Sequence, residues 1–256
     1  MKVVILCGGR GTRLGEETQT RPKPMVEIGG RPIVWHIMNL YADAGFTDFV
    51  LALGYKGEFI KEYFFNYRAQ MNDAVVSLAT GEVDYIAEGA EDWTVGLIDT
   101  GDKTLTGGRL LRLKSFLQES GTFMLTYGDG VADLNIESLV DYHRSHGQLA
   151  TITAVRPPAR FGEIVLEEER AISFQEKPQT AEGWVNGGFF VFEAGIFDYL
   201  DNDQTVLEES PLERLASEGE LMVYKHDGFW HPMDTPRDKQ NLEDLWKANE
   251  APWFRP

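Results

Sequence analysis

Residues 2–14 read Lys2-Val3-Val4-Ile5-Leu6-Cys7-Gly8-Gly9-Arg10-Gly11-Thr12-Arg13-Leu14, an apolar run that stops in a glycine-rich loop carrying two arginines. A short apolar run closed by glycine is the pattern of a strand buried mid-sheet. Arg21-Pro22-Lys23-Pro24 follows soon after. Residues 1–31 hold six Lys and Arg against three Glu, a net +3, in a chain whose formal charge is −17. Positive charge gathered on one loop of an acidic protein predicts a polyphosphate site at that loop.

Working outward, Arg31–Gly45 reads as a helix. Pro32 suits its first turn, Ile33, Ile37, Leu40, Tyr41 and Ala44 share a face, and Gly45 supplies the stop. Asp48–Leu53 reads as a second buried strand and Gly57–Phe65 as a second helix. This order implies a parallel sheet with right-handed crossovers. Residues 66–105 are less regular, with short candidate strands at Ala74–Ala79 and Thr94–Ile98. A helical pattern covers Thr106–Gln118, and Phe123–Tyr127 is a strand ending in Gly128-Asp129-Gly130. Ile136–His146 then reads as a helix and Leu149–Val155 as a strand. Glu163–Phe192 is rich in strands, and helices are expected near Pro211–Ser217 and Arg237–Lys247. With no linker rich in Pro, Gly or Ser, the expectation is one α/β domain over residues 1–256.

A chain of 256 residues can bury the core of one such domain. Its acidity argues against a nucleic-acid face and against an anionic membrane surface. The single cysteine, Cys7, excludes a disulfide framework and a cysteine-based zinc site, and at a strand end it reads as a small buried residue. The apolar run after Lys2 is too short for a signal-peptide core, and no stretch approaches a membrane span, so a cytoplasmic location is expected. His36, His143, His146, His226 and His231 show no metal-ligand pattern, and no Gly-x-Ser-x-Gly elbow supports acyl transfer.

The first loop is neither a Walker A loop nor a dinucleotide fingerprint. No Gly-Lys-Ser/Thr follows, Leu14 stands where a third glycine belongs, and the second strand ends in Gly54-Tyr55-Lys56 without an acid. Its glycines let backbone N–H groups approach phosphate oxygens, and Arg13 offers a planar fork to two of them. The alternative is a tight turn with exposed arginines. Prolines on both sides stiffen the backbone that presents Lys23 beside the loop. Asp129 lies at the carboxyl end of a strand, where ligands of open α/β sheets bind. Asp234, within Trp230-His231-Pro232-Met233-Asp234-Thr235, is a second candidate carboxylate. One or two carboxylates plus substrate phosphates suit Mg²⁺, but spacing alone does not bring these two together. Glu176 and Lys177, in Phe174-Gln175-Glu176-Lys177-Pro178, could serve a sugar hydroxyl and a sugar phosphate, with a surface ion pair as the alternative. Asn186-Gly187-Gly188 opens a strand that permits close ligand approach, and Phe161-Gly162 is assigned to the same pocket.

Taken in order, GGRGTRL, PKP, GDG, FQEKP and NGGFF resemble the sugar-phosphate nucleotidylyltransferases. Glu17-Thr18, Pro22 to Val26, Trp35 to Met38, Asp99 to Gly101, Thr106 to Leu110, Tyr127 to Asp133 and Pro232 to Thr235 narrow the resemblance to members that use CTP and α-D-glucose 1-phosphate. The resemblance covers nearly the whole chain. It implies a three-layer, Rossmann-like, mixed and mainly parallel sheet flanked by helices, with extra strands and C-terminal helices. A nucleotide-binding half would span about residues 1–135, and a sugar-phosphate-binding half about 136–256. It implies CDP-glucose and pyrophosphate as products, a precursor role for 3,6-dideoxyhexoses of surface polysaccharide such as O-antigen, and a homo-oligomer. The aromatic tail Trp253-Phe254 is a candidate for packing at that interface. By the same resemblance, Leu6, Gly8, Gly9, Arg10, Gly11, Thr12, Arg13, Lys23, Thr104, Arg109 and Gly128 bind nucleotide. Gly162, Glu176, Lys177, Asn186, Gly187 and Gly188 bind sugar phosphate. Asp129 and Asp234 hold Mg²⁺, and Arg13, Lys23 and Asp129 are catalytic. The nearest alternatives are UTP or dTTP as the nucleotide, or a regulatory subunit that binds sugar nucleotides without turnover.

Overall fold

Alternation along the first strand sets the layers. Every residue of β1 (Val3–Cys7) is buried. Val3, Ile5 and Cys7 join the core on one face of the sheet, and Val4 and Leu6 join the core on the other. A strand buried on both faces needs helices above and below it. The computed structural model describes residues 1–86, 91–157, 163–167, 170–175 and 183–254, with the backbone alone at 16, 163–167 and 170–175.

The main sheet continues with β2 (Asp48–Leu53), β3 (Thr94–Asp99), β4 (Phe123–Tyr127), β5 (Ala150–Val155), β6 (Val185–Phe192) and β7 (Leu221–His226). Their spatial order is β7-β5-β6-β4-β1-β2-β3. β1 is parallel to β2 and β4, β2 to β3, and β5 to β7, whereas β6 runs antiparallel to both β4 and β5. This is the mixed, mainly parallel α/β sheet expected. From β1 the chain moves to β2 and β3 on one side and then returns on the other side as β4. Such a reversal opens a crevice at the carboxyl ends of the two strands that flank it, here β1 and β4.

Helices α1 (Ile33–Ala42), α2 (Gly57–Phe65), α3 (Thr106–Arg112), α4 (Ile136–His146), α5 (Ser210–Ser217) and α6 (Pro236–Lys247) cover the sheet. Ile33, Ile37, Leu139 and Leu242, from α1, α4 and α6, pack on one face, and Leu110, Leu212 and Leu215, from α3 and α5, on the other. Each such fully buried aliphatic side chain contributes roughly 1.5–3 kcal/mol relative to exposure.

Several boundaries differ from expectation. α1 begins at Ile33, because Pro32 is extended (φ −63, ψ 147) and pairs with Glu27 in a short ladder. The helix ends at Ala42, and Gly45, at φ +82, closes the turn beyond it through a 2.8 Å N–H bond to Ala42 O. The Thr106–Gln118 pattern breaks at Leu113 into α3 and a short turn of helix at Lys114–Leu117. Ala74–Val76 pairs with Val83–Tyr85 as a hairpin outside the main sheet. The aromatic tail packs into the core of its own chain. Trp253 is 2% exposed, its ring stacks on Phe229, and Phe254 packs on Trp246.

Candidate active site

The loop after β1 turns on Gly11, whose φ of +58 favours glycine and whose missing Cβ leaves room for Lys23, 2.9 Å from where that atom would sit. Thr18 Oγ1 donates to Gly11 O at 3.0 Å, and Leu14 is buried beneath, so the loop is pinned from below. Its upper side is open: Gly9, Arg10, Thr12 and Arg13 are not buried. Arg10 pairs at 3.2 Å with Asp102, itself in the loop after β3.

Lys23 follows Pro22 and enters a single 3-10 turn, Lys23–Met25. Its side chain is only 10% exposed, and Nζ donates to Asp129 Oδ2 and to Asp234 Oδ1, each at 2.7 Å. Burial disfavours the ammonium, but Asp129 and then Asp234 outweigh it and hold the pKa above the ordinary lysine value. Arg13 Nη1 lies 3.7 Å from the other oxygen of Asp234, with its side chain largely in solvent.

Residues 129 and 234 meet through a register that spacing does not reveal. Gly130–Ala132 pairs antiparallel with Trp230–Pro232, and Met233 N–H donates to Asp129 O at 2.8 Å. Asp234 then falls just before the N-cap of α6. There its N–H and that of Thr235 both donate to Asp238 Oδ2, at 3.1 and 2.8 Å, and Thr235 completes a capping box. A cap of this kind stabilises by about 1 kcal/mol and fixes where Asp234 leaves the strand. Among the described residues no group of three or more His, Cys, Asp or Glu could hold a metal ion. Two hard oxygen donors fit a cation that completes its shell with phosphates and water, as Mg²⁺ does, and do not form a cage of their own.

These groups border a cavity of about 390 Å³. Leu6, Gly8, Gly9, Gly11, Thr12 and Arg13 line it from β1 and its loop, and Lys23, Gly128, Asp129 and Asp234 from the carboxylate side. Thr104 and Arg109 close it opposite. Arg109 reaches the cavity with both terminal nitrogens already engaged. Nη1 donates to Leu53 O at 3.0 Å, Thr100 Oγ1 at 2.9 Å and Gly101 O at 2.8 Å, and Nη2 donates to Gly8 O at 3.1 Å. The guanidinium therefore ties the ends of β1, β2 and β3 into one floor. It fills the space a Cβ at Gly8 or Gly54 would need.

Asn186, Gly187 and Gly188 do not line the cavity but sit behind Tyr127: Asn186 Nδ2 donates to Tyr127 Oη at 3.0 Å and Asn186 Oδ1 accepts from Gly188 N at 2.8 Å. Trp230 Nε1 donates to Gly187 O at 2.8 Å, joining this strand to the one that leads to Asp234. Phe161, Gly162, Glu176 and Lys177 lie outside the described residues. Tyr127, Leu105 and Thr106 also line the cavity without having been assigned a binding role, although Thr106 and Tyr127 open the Thr106–Leu110 and Tyr127–Asp133 stretches. Of the five histidines, His36 and His143 are buried core residues. Burial also pushes the Cys7 thiol far up, as suits an inert core residue.

The nucleotidyl transferase family model matches residues 2–251. A glucose-1-phosphate cytidylyltransferase of Salmonella typhi is 51% identical over 253 residues, 99% of this chain and 98% of the relative. A mannose-1-phosphate guanyltransferase of Aspergillus oryzae is 28% identical over 244 residues, 93% of this chain and 62% of the relative. Among solved structures, HddC from Yersinia pseudotuberculosis superposes with a TM-score of 0.70 at 21% identity, over 96% of this chain and 99% of that one, which speaks to the fold.

Proposed function

The chain belongs to the nucleotidyl transferase family, and from that premise we propose that its cleft transfers the cytidylyl group of CTP to α-D-glucose 1-phosphate, giving CDP-glucose and pyrophosphate. The observation that carries the chemistry is the Lys23 ammonium, held 2.7 Å from both Asp129 and Asp234 directly beside the glycine loop. The similarity to a cytidylyltransferase at 51% identity, against 28% for a guanyltransferase, favours CTP over other triphosphates.

In the proposed reaction a phosphate oxygen of glucose 1-phosphate attacks the α-phosphorus of CTP, and the bond to the β-phosphate oxygen breaks in line with it. The attacking oxygen is already ionised near neutral pH, so no general base is required. Catalysis then rests on positioning and on charge placed in advance. Backbone N–H groups of Gly8 to Thr12 and the Arg13 fork bind the triphosphate. Lys23 offsets charge on the α-phosphate as it passes through five-coordination. Asn186, Gly187 and Gly188, with Gly162, Glu176 and Lys177, receive glucose 1-phosphate. Asp129 and Asp234 would hold Mg²⁺, which when bound neutralises phosphate charge and orients the reacting oxygens. A homo-oligomeric assembly, a cytoplasmic location and supply of a polysaccharide precursor belong to the same proposal; light scattering of the purified protein tests the first. The deciding experiment incubates the protein with magnesium, glucose 1-phosphate and each nucleoside triphosphate in turn. Pyrophosphate and CDP-glucose should form fastest with CTP. Faster turnover of UTP or dTTP would reassign the nucleotide, and no pyrophosphate from any mixture would leave a binding subunit.

A further inference from the structure

Glu208 takes no part in the reading above, yet its carboxylate spans the two walls of the cleft. Oε1 accepts from Tyr127 Oη, and Oε2 accepts from Thr106 Oγ1 at 2.6 Å. Thr106 opens α3 and lines the cavity next to Thr104, while Tyr127 ends β4 directly before Gly128 and Asp129. Thr106 Oγ1 also accepts the Leu207 N–H at 2.9 Å, which leaves its hydroxyl proton directed to Glu208.

The network has a fixed polarity. A carboxylate only accepts, so Tyr127 directs its proton to Glu208 and meets Asn186 with a lone pair. That choice turns the amide nitrogen of Asn186 toward Tyr127, at 3.0 Å, and its carbonyl toward the N–H of Gly188, at 2.8 Å. The ring also sets the strand's path: Gly188 stands at φ +80, and a Cβ there would fall 2.5 Å from Tyr127 Cδ2.

We propose that Glu208 is a positioning residue for the sugar-phosphate wall, acting through Tyr127 to orient Asn186 while its second oxygen anchors the start of α3. The inference rests on the reading of Asn186 as a contact of glucose 1-phosphate. The test compares the intact wild-type protein with Glu208→Ala, Glu208→Gln, Tyr127→Phe and the Glu208→Ala/Tyr127→Phe pair. KM for glucose 1-phosphate and for CTP are measured separately, alongside melting temperatures. Tyr127→Phe should raise KM for glucose 1-phosphate about tenfold, the effect of leaving a buried polar group without its partner, and hardly move KM for CTP. Glu208→Ala should do the same with a smaller rise for CTP through Thr106. The pair should be no worse than about twofold beyond Glu208→Ala, because both changes cut one chain of bonds. Glu208→Gln should largely restore the KM ratio, since its carbonyl still accepts from Tyr127 and its amide can donate to Thr106. Lower melting temperatures with an unchanged KM ratio, or a Gln variant as impaired as Ala, would overturn the role of Glu208. Failure of the wild-type protein to form CDP-glucose would instead overturn the functional reading, so the two failures are distinct.

Discussion

Replacing Lys23 with methionine keeps the length of the side chain and removes the charge at the centre of the cleft. The ammonium makes two charge-assisted hydrogen bonds of 2.7 Å from a side chain 10% exposed, to carboxylates that are 36% and 30% exposed. A hydrogen bond involving a charged group contributes about 1.5–3 kcal/mol net, and the openness of both carboxylates places each at or below the low end. Removing the lysine also removes its own desolvation, the largest influence on its titration. Lys23→Met is therefore expected to lose about 2 kcal/mol, or about 4–8 °C in Tm for a chain of this size. Added Mg²⁺ should raise the Tm of the variant more than that of the wild type, because the ammonium that bridges Asp129 and Asp234 is then gone. Turnover should fall further than stability suggests. Removing one preorganised donor from a developing charge costs about 10²–10³ in kcat. The pH dependence carries a sign. Because folding raises the Lys23 pKa, its contribution is complete below the ordinary value of 10.5 and is lost as pH climbs through the higher folded value. The stability gap between wild type and variant should thus narrow only above pH 10.5. Melting curves with and without Mg²⁺, and pyrophosphate release under saturating substrates, read all of this. An unchanged Tm together with turnover within about twofold of wild type would refute the reasoning, since neither the pairing nor the charge placement would then matter.

Asp129→Asn should lower turnover about a hundredfold at saturating magnesium while preserving the fold; near-normal turnover would remove Asp129 from the chemistry. Lys177→Ala should raise KM for glucose 1-phosphate more than KM for CTP, and equal effects would return Lys177 to a surface ion pair. His36 is 1% exposed and burial lowers its pKa to about 4, so its imidazole is neutral in the fold, its Nε2 2.9 Å from Ile28 O and its Nδ1 facing the Trp253 indole. The unfolded chain binds a proton there more readily, so stability should fall as pH drops from 6.5 toward 4, by about 3 kcal/mol in total. His36→Gln should flatten acid denaturation across that window, and an unchanged profile would place the sensitivity elsewhere.

The glycine-loop side of the cavity was readable because its signals are local. KVVILC, the glycines at 8, 9 and 11 and the Pro-Lys-Pro turn sit within one short stretch, and strands and helices with strong periodicity, such as Asp48–Leu53, Gly57–Phe65 and Ile136–His146, fall where the pattern places them. The meeting of Asp129 with Asp234 was not readable. It depends on a three-residue ladder between Gly130–Ala132 and Trp230–Pro232, too short for any period and interrupted by a proline. β7 escaped notice because Leu221–His226 is an edge strand that buries no residue fully. Glu208 is one acid among the many of a chain at −17, and its role follows from two partners about 80 and 100 positions away. Trp253 misled in the opposite sense: an aromatic near the end of the sequence suggests a contact between subunits, whereas His36 and Phe229 provide its socket within the same chain.

The ladder that delivers Asp234 has a consequence for biogenesis. On a ribosome, the glycine loop and Asp129 emerge early and can pack with β2 and β3, but residue 234 reaches them only after a hundred further residues have been threaded out. Until then Lys23 has one carboxylate instead of two, and the nascent chain offers a cation-rich loop without its counterpart. Long-range pairing of this kind slows assembly, so Lys23 gains its second carboxylate only once the Trp230–Pro232 strand has docked.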